Sequence, residues 1–134
     1  MLIDQLTSLP QRFDPRKARA AYAANDKIRR EGTGALIAAA SKSGSVKRYI
    51  AQSVAFLYAP GGAEPKQEDD RAWTDAPAPF DASVNTLLDN EAKVTSNPNF
   101  TGVVLRYGFL YGPGTWFASD GSTAEAVRKR QYPL

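Results

Sequence analysis

The sequence predicts an α/β protein built on a small parallel sheet of about three strands with flanking helices. Two observations carry that prediction. Short β-branched and aromatic runs alternate with long helical ones in the order strand, helix, strand, helix, strand, helix. Residues 103–115 then read VVLRYGFLYGPGT: a buried strand closed by Arg106 and Tyr107, then a turn of Tyr111, Gly112, Pro113 and Gly114. That turn lies just beyond a carboxyl strand end, where open α/β sheets bind ligands. Strands joined through helices run parallel with right-handed crossovers. Parallel strands want cover on both faces, and three of them leave at least one edge bare.

The elements follow in order. Residues 2–6 form a short strand and residues 7–13 a loop. Asp14 and Pro15 start a helix, with Asp as N-cap and Pro at the first helical position. Ala18, Ala21, Tyr22, Ala24, Ile28, Ala35, Leu36, Ala39 and Ala40 recur at helical spacing to about Ser41. Gly32 and Gly34 interrupt that helix at about 1 kcal/mol each against Ala, so close approach to the sheet is expected there. Gly44 supplies the C-cap region. Residues 46–52 form the second strand, with Ser53 at its carboxyl end. Residues 54–58 continue as apolar chain. Residues 59–80 are rich in Pro, Gly and acids, the composition of a disordered or simple surface loop. Asp81 caps a helix that Asn97-Pro98 stops, with Val84, Leu87, Leu88, Ala92 and Val94 on its apolar side. Residues 100–107 form the third strand. Ser122 and Glu125 make a capping box for a last helix.

Composition narrows the chemistry. A length of 134 residues fits one domain, and 43% hydrophobic residues suffice for a core. Zero cysteines exclude disulfides, thiolate metal sites and a cysteine nucleophile; zero histidines remove the commonest general base and the Ser-His triad. Any catalysis runs on carboxylates, Tyr, Ser/Thr, Lys or Arg. No apolar run is long enough for a membrane span, and the N-terminus lacks the pattern of a signal peptide. A cytoplasmic protein is expected. The formal charge of +3 is modest. Basic clusters at residues 16–19, 27–30 and 128–130 read as solvated helix faces, and no nucleic-acid motif accompanies them.

On this topology Ser53, Tyr58, Arg106 and Tyr111 gather at the carboxyl edge. Ser53, Tyr111 and Asp4 are the candidates for catalysis. Arg106 and Tyr58 are the candidates for holding a cofactor. The structural alternative is that Arg106 pairs with a helix or loop carboxylate and the tyrosines pack. Asp4 is the acid expected to be partly buried. Glu64, Glu68, Asp69 and Asp70 lie in the long loop without metal-ligand spacing, as solvated charge. Trp73 and Trp116 are expected in packing or at an interface.

Four segments together resemble the extended short-chain dehydrogenase/reductases, the NAD-dependent epimerases and dehydratases. They are the first strand, Gly32-Thr33 with the alanine-rich helix end, residues 46–50, and residues 103–115 with their Tyr-Gly-Pro-Gly turn. The resemblance implies a truncated Rossmann-like sheet, a central fragment of that fold. The family's glycine-rich dinucleotide turn and its C-terminal substrate part have no counterpart in it. NAD(P) is implied by the resemblance alone. The family's Tyr/Lys pair, counted back from Glu91, falls on Ser83 and Leu87, neither of which does acid-base work. Its helix Asn falls on Arg29, and its Ser/Thr near Ser53. The expected function is therefore a truncated, atypical NAD-dependent epimerase/dehydratase-like protein, without ordinary redox activity and with weak nucleotide or nucleotide-sugar binding at most. A small His- and Cys-free hydrolase and a non-catalytic oligomerising domain stand as alternatives. A bare first strand favours pairing with a second copy, so a homo-oligomer, a homodimer first of all, is expected.

Overall fold

The computed structural model describes residues 1–9 and 15–132. β1 (Leu2–Asp4), β2 (Arg48–Val54) and β3 (Thr101–Tyr107) form one parallel sheet in the order β1-β2-β3. α1 (Ala18–Ser43) joins the first two strands, α2 (Phe80–Thr95) joins the second pair, and α3 (Ser122–Arg128) follows β3. The Rossmann-like α/β order read from the sequence is the order of the fold.

Two crossovers of one hand, stepping the same way along the sheet, put both helices on one face. That face carries Asp4 of β1, Tyr49, Ala51 and Ser53 of β2, and Gly102, Val104 and Arg106 of β3, matched by register. Tyr49, Ala51, Val94, Phe100 and Ala40 form its buried core, with the Tyr49 and Phe100 rings stacked at 5.1 Å. Val54, Leu57 and Leu87 form a second cluster toward the carboxyl edge. The helix comes so close to β3 that a Cβ on Gly102 would run into the Val94 carbonyl oxygen. The other face carries Ile3, Ile50, Val103, Gln52, Leu105 and Tyr107. Ile3 is 56% and Leu105 39% exposed there. The buried strand expected at residues 103–105 is thus only half-buried, because β3 is an edge strand and α1 and α2 cover one face.

Several boundaries shift for local reasons. β1 stops at Asp4, whose Oδ1 accepts from the Leu6 backbone N–H at 3.1 Å and turns the chain. The following segment is tied to α1 where Asn25 Oδ1 accepts from Thr7 Oγ1 and the Ser8 N–H. A 3-10 turn over Pro15–Lys17 leads into α1, which begins after Lys17 without a side-chain cap. The expected cap, Asp14, lies outside the described residues, as do residues 10–13 of the loop and the last two residues. Gly44 closes α1 at φ 63°, the left-handed cap expected. Gly32 packs on the segment after β1 and not on the sheet that was expected, since a Cβ would strike Leu6; at Gly34 nothing lies within 4 Å, so packing explains only the first glycine.

β2 runs two residues further than residues 46–52 suggest, because the ladder to β3 continues to the pair Val54–Tyr107. Ser53 is therefore inside the strand. Pro79, not Asp81, is the N-cap of α2, which begins at Phe80; Asp81 sits in its first turn. Ala92, expected on the apolar side, is exposed, and Ser83, Thr86 and Asn90 are buried instead. Gly121, not Ser122, is the N-cap of α3, so no capping box forms. Residues 59–79 fold back on the end of β2: Tyr58 bridges Ala72, Ala59 N–H donates to Arg71 O at 2.9 Å, and Trp73 N–H donates to Leu57 O at 2.7 Å. The loop is surface chain, as expected, and it is held at both ends.

Candidate functional site at the carboxyl edge

Two polar assemblies lie near the carboxyl ends of the strands. The inner one is sealed. Asp4, 4% exposed, accepts from Thr33 Oγ1 at 2.7 Å and from the Tyr49 hydroxyl at 2.8 Å, besides the Leu6 N–H. Burial and the hydrogen bond to Asp4 push the Tyr49 hydroxyl well above its ordinary pKa. Arg29 is buried beside it; desolvation lowers its pKa, against the raising fields of Asp26 and Asp4. The seam continues between the helices, where Ser83 Oγ donates to Asp26 Oδ2 at 2.8 Å and Asn90 Nδ2 donates to the Arg29 carbonyl at 3.1 Å. A cavity of about 10 Å³ touches Asp4, Arg29, Thr33, Leu87 and Asn90. That is room for a single water, and Asn90 Oδ1 is a buried acceptor without a protein partner.

The outer assembly centres on Arg106. Its Nε and Nη2 form a two-pronged bond to Glu91 at 3.1 and 2.7 Å, and Nη1 donates to the Glu68 carbonyl at 3.2 Å. The guanidinium lies 4.7 Å over the Tyr58 ring. The Glu91 bond, more than any other influence, raises the Arg106 pKa. One side chain thus ties β3, α2, the end of β2 and the long loop together.

The sequence candidates therefore separate. Arg106 and Tyr58 are together at the edge, in the paired arrangement that was the structural alternative. Ser53 is opposite Arg106 in register but only 1% exposed, and its Oγ has no hydrogen-bond partner among the described residues. Asp4 faces the interior, its carboxylate occupied by three donors. Tyr111 stands 87% exposed on the turn, away from the others. Ser83 and Leu87, at the positions of the family's Tyr/Lys pair, are buried in packing. Of the long-loop acids, Asp70 accepts from the Gln67 N–H at 2.7 Å; among the described residues no group of acids is arranged to hold a metal.

Sequence reasoning missed Thr33, Tyr49 and Asn90 around the buried acids, and missed Glu91 as the partner of Arg106. Tyr49 was legible in principle, since it shares a strand face with Ala51 and Ser53. It also missed a run of aromatic rings past the strand ends, Phe56, Phe109 and Phe117. The dinucleotide implied by the resemblance does not fit the residues present. Residues 5–17, between β1 and α1, contain no glycine. Gly32 and Gly34 lie inside α1, and the positive-φ glycines 112 and 114 precede only a seven-residue helix.

No protein-family model matches the chain, and no solved structure matches it. The chain is similar to a 3-diazoavenalumate denitrifying reductase of a Streptomyces species, at 42% identity over 136 aligned positions. The match takes in the whole chain and 43% of that reductase, so the chain spans less than half the length of the relative it matches. No helix among the described residues is long and apolar enough to cross a membrane.

Proposed function

We propose that this chain is a central portion of a reductase related to the extended short-chain dehydrogenase/reductases, acting on a diazo group, with the carboxyl edge of its sheet turned to the substrate. The observation that carries this reading is the similarity, over the whole of this chain and 43% of the relative, to a protein named a 3-diazoavenalumate denitrifying reductase. Two residues support it. Reducing a carbonyl develops an alkoxide, and a positioned acid must protonate it. Replacing a diazonium group by hydrogen takes a hydride from a nicotinamide-class donor held outside this segment, expels dinitrogen and leaves a C–H bond (R–N₂⁺ + H⁻ → R–H + N₂), with no alkoxide to protonate. Ser83, bonded to Asp26, and Leu87, packed with Val54 and Leu57, suit a protein from which that acid is not required.

The pyrophosphate cradle of a dinucleotide is not part of this segment, so its own contribution is to bind and orient substrate. Ser53 lacks a neighbouring base, and the hydrolase alternative gains no support. Isothermal titration of the chain with a diazo-substituted carboxylate, a nucleotide sugar and NADPH tests the reading. Heat with the diazo acid alone is expected. Heat with the nucleotide sugar and none with the diazo acid contradicts it.

A second reading, self-association, is favoured by a specific observation. β1 is an edge strand, and its central residue Ile3 is 56% exposed on a sheet face that α1 and α2 leave uncovered. Pairing two β1 edges, or two such faces, would cover both. Light scattering at micromolar concentration distinguishes a dimer from a well-folded monomer, and the monomer sinks this reading.

A further inference from the structure

We infer that the exposed rings of Phe56, Phe109 and Phe117 form a stacking platform for a planar, electron-poor aromatic ligand. This deepens the substrate-side reading above and rests on it for the ligand's role, though not for the platform itself. Val54 and Tyr107 are the last register pair of the β2–β3 ladder. Phe56 and Phe109 stand two residues beyond each, and the parallel strands deliver them side by side. Their centroids are 5.5 Å apart and their planes 15° from parallel. Phe117 continues the row at 5.3 Å from Phe109, tilted by 52°.

The row is anchored from within. Phe56 touches Phe80 at 5.9 Å, and Phe80 touches Trp73 at 6.1 Å and Tyr22 at 5.8 Å. Those three inner rings are half-buried, whereas Phe117 is 36%, Phe56 43% and Phe109 68% exposed. Single exposed phenylalanines need no explanation. Here rings from separate segments are held against one another while each stays partly in water, at the edge where α/β sheets bind ligands.

The spacing selects the occupant. Phe56 and Phe109 are already in ring contact, so no third ring enters between them. A ligand would pack instead against the part of Phe109 left in water, 68% of the residue. An aromatic face is negative above its plane, so it favours a ring drained of electrons. A diazo substituent drains it, and so does a nitro group. The same edge already holds one electron-poor planar group on an aromatic face, the Arg106 guanidinium over Tyr58.

Equilibrium dialysis of the chain against nitrobenzoate and cyclohexanecarboxylate tests the platform. Saturable binding of nitrobenzoate and none of the aliphatic acid is expected. Phe109→Ala should weaken it about tenfold or more, and Phe109→Trp should retain it. Because Phe109 is mostly exposed, circular dichroism should show both variants folded. Equal binding of the two acids, or unchanged binding by Phe109→Ala, overturns the inference. So does a dimer that Phe109→Ala dissociates, which makes a second copy the occupant. Nitrobenzoate carries no diazo group, so its binding while the diazo acid fails contradicts the reductase reading and leaves the platform standing.

Discussion

Two side chains at the residue scale have consequences that can be measured. Tyr49 keeps its proton more tightly in the folded protein than in the unfolded chain, because burial and Asp4 both favour the neutral hydroxyl. A raised pKa means stability that is fully present below the unfolded value, about 10 for tyrosine, and lost as the pH climbs above it. Urea titrations should therefore show stability falling above about pH 10. Tyr49→Phe should flatten that part of the slope. It should also lower stability near neutral pH by about 1–3 kcal/mol, since a buried carboxylate loses a donor. Arg106 and Glu91 are 22% and 12% exposed, neither surface nor core. Glu91→Gln should cost about 1–3 kcal/mol, between the exposed and buried limits for ion pairs. It should also speed proteolysis within residues 60–70, because Arg106 holds that loop through the Glu68 carbonyl. Cleavage at the unchanged rate would show that the loop is held by its strand-like bonds alone.

At the scale of elements, two glycines make opposite predictions. Gly102→Ala puts a methyl against the Val94 carbonyl, where both backbones must move. A loss of roughly 1–3 kcal/mol is expected, the usual range for overpacking. Gly34→Ala meets nothing within 4 Å inside a helix, and a gain of about 1 kcal/mol is expected from helix propensity. Thermal melts of the pair read both signs in one experiment. The same elements show what the sequence made legible. Strand–helix alternation and the Gly44 stop were readable because period and punctuation are local. The strand shift at Ser53 was not, because the Val54–Tyr107 pair that extends β2 lies fifty residues away in sequence. Nor were the caps, since Asp81 and Ser122 are good cap residues that the chain places two positions and one position past the actual caps, Pro79 and Gly121. Among the site residues, Arg106 and Tyr58 were findable from the strand-end rule. Their partner Glu91 needed the helix register against the sheet. Asp4 was expected to be partly buried, but its three donors come from three different segments and no motif links them.

On the scale of the whole molecule, the fold is lopsided. Both crossover helices lie on one side of the sheet, and the polar interior sits beneath them. The opposite side keeps Ile3 and Leu105 in water. The aromatic row gathers where β2 and β3 end. Asp4, Ser53, Ser83 and Leu87 are closed off, and at the carboxyl edge the described residues left open are the row and the rim around Arg106. We propose this carboxyl rim as the substrate side. Backbone amide shifts of the isotope-labelled chain, followed during titration with a diazo- or nitro-substituted aromatic acid, test it most directly. Saturable shifts confined to Phe56, Tyr58, Phe109, Phe117 and their neighbours are the predicted result. Shifts centred on Ile3, Ile50 and Leu105, or none at saturating ligand, would contradict it.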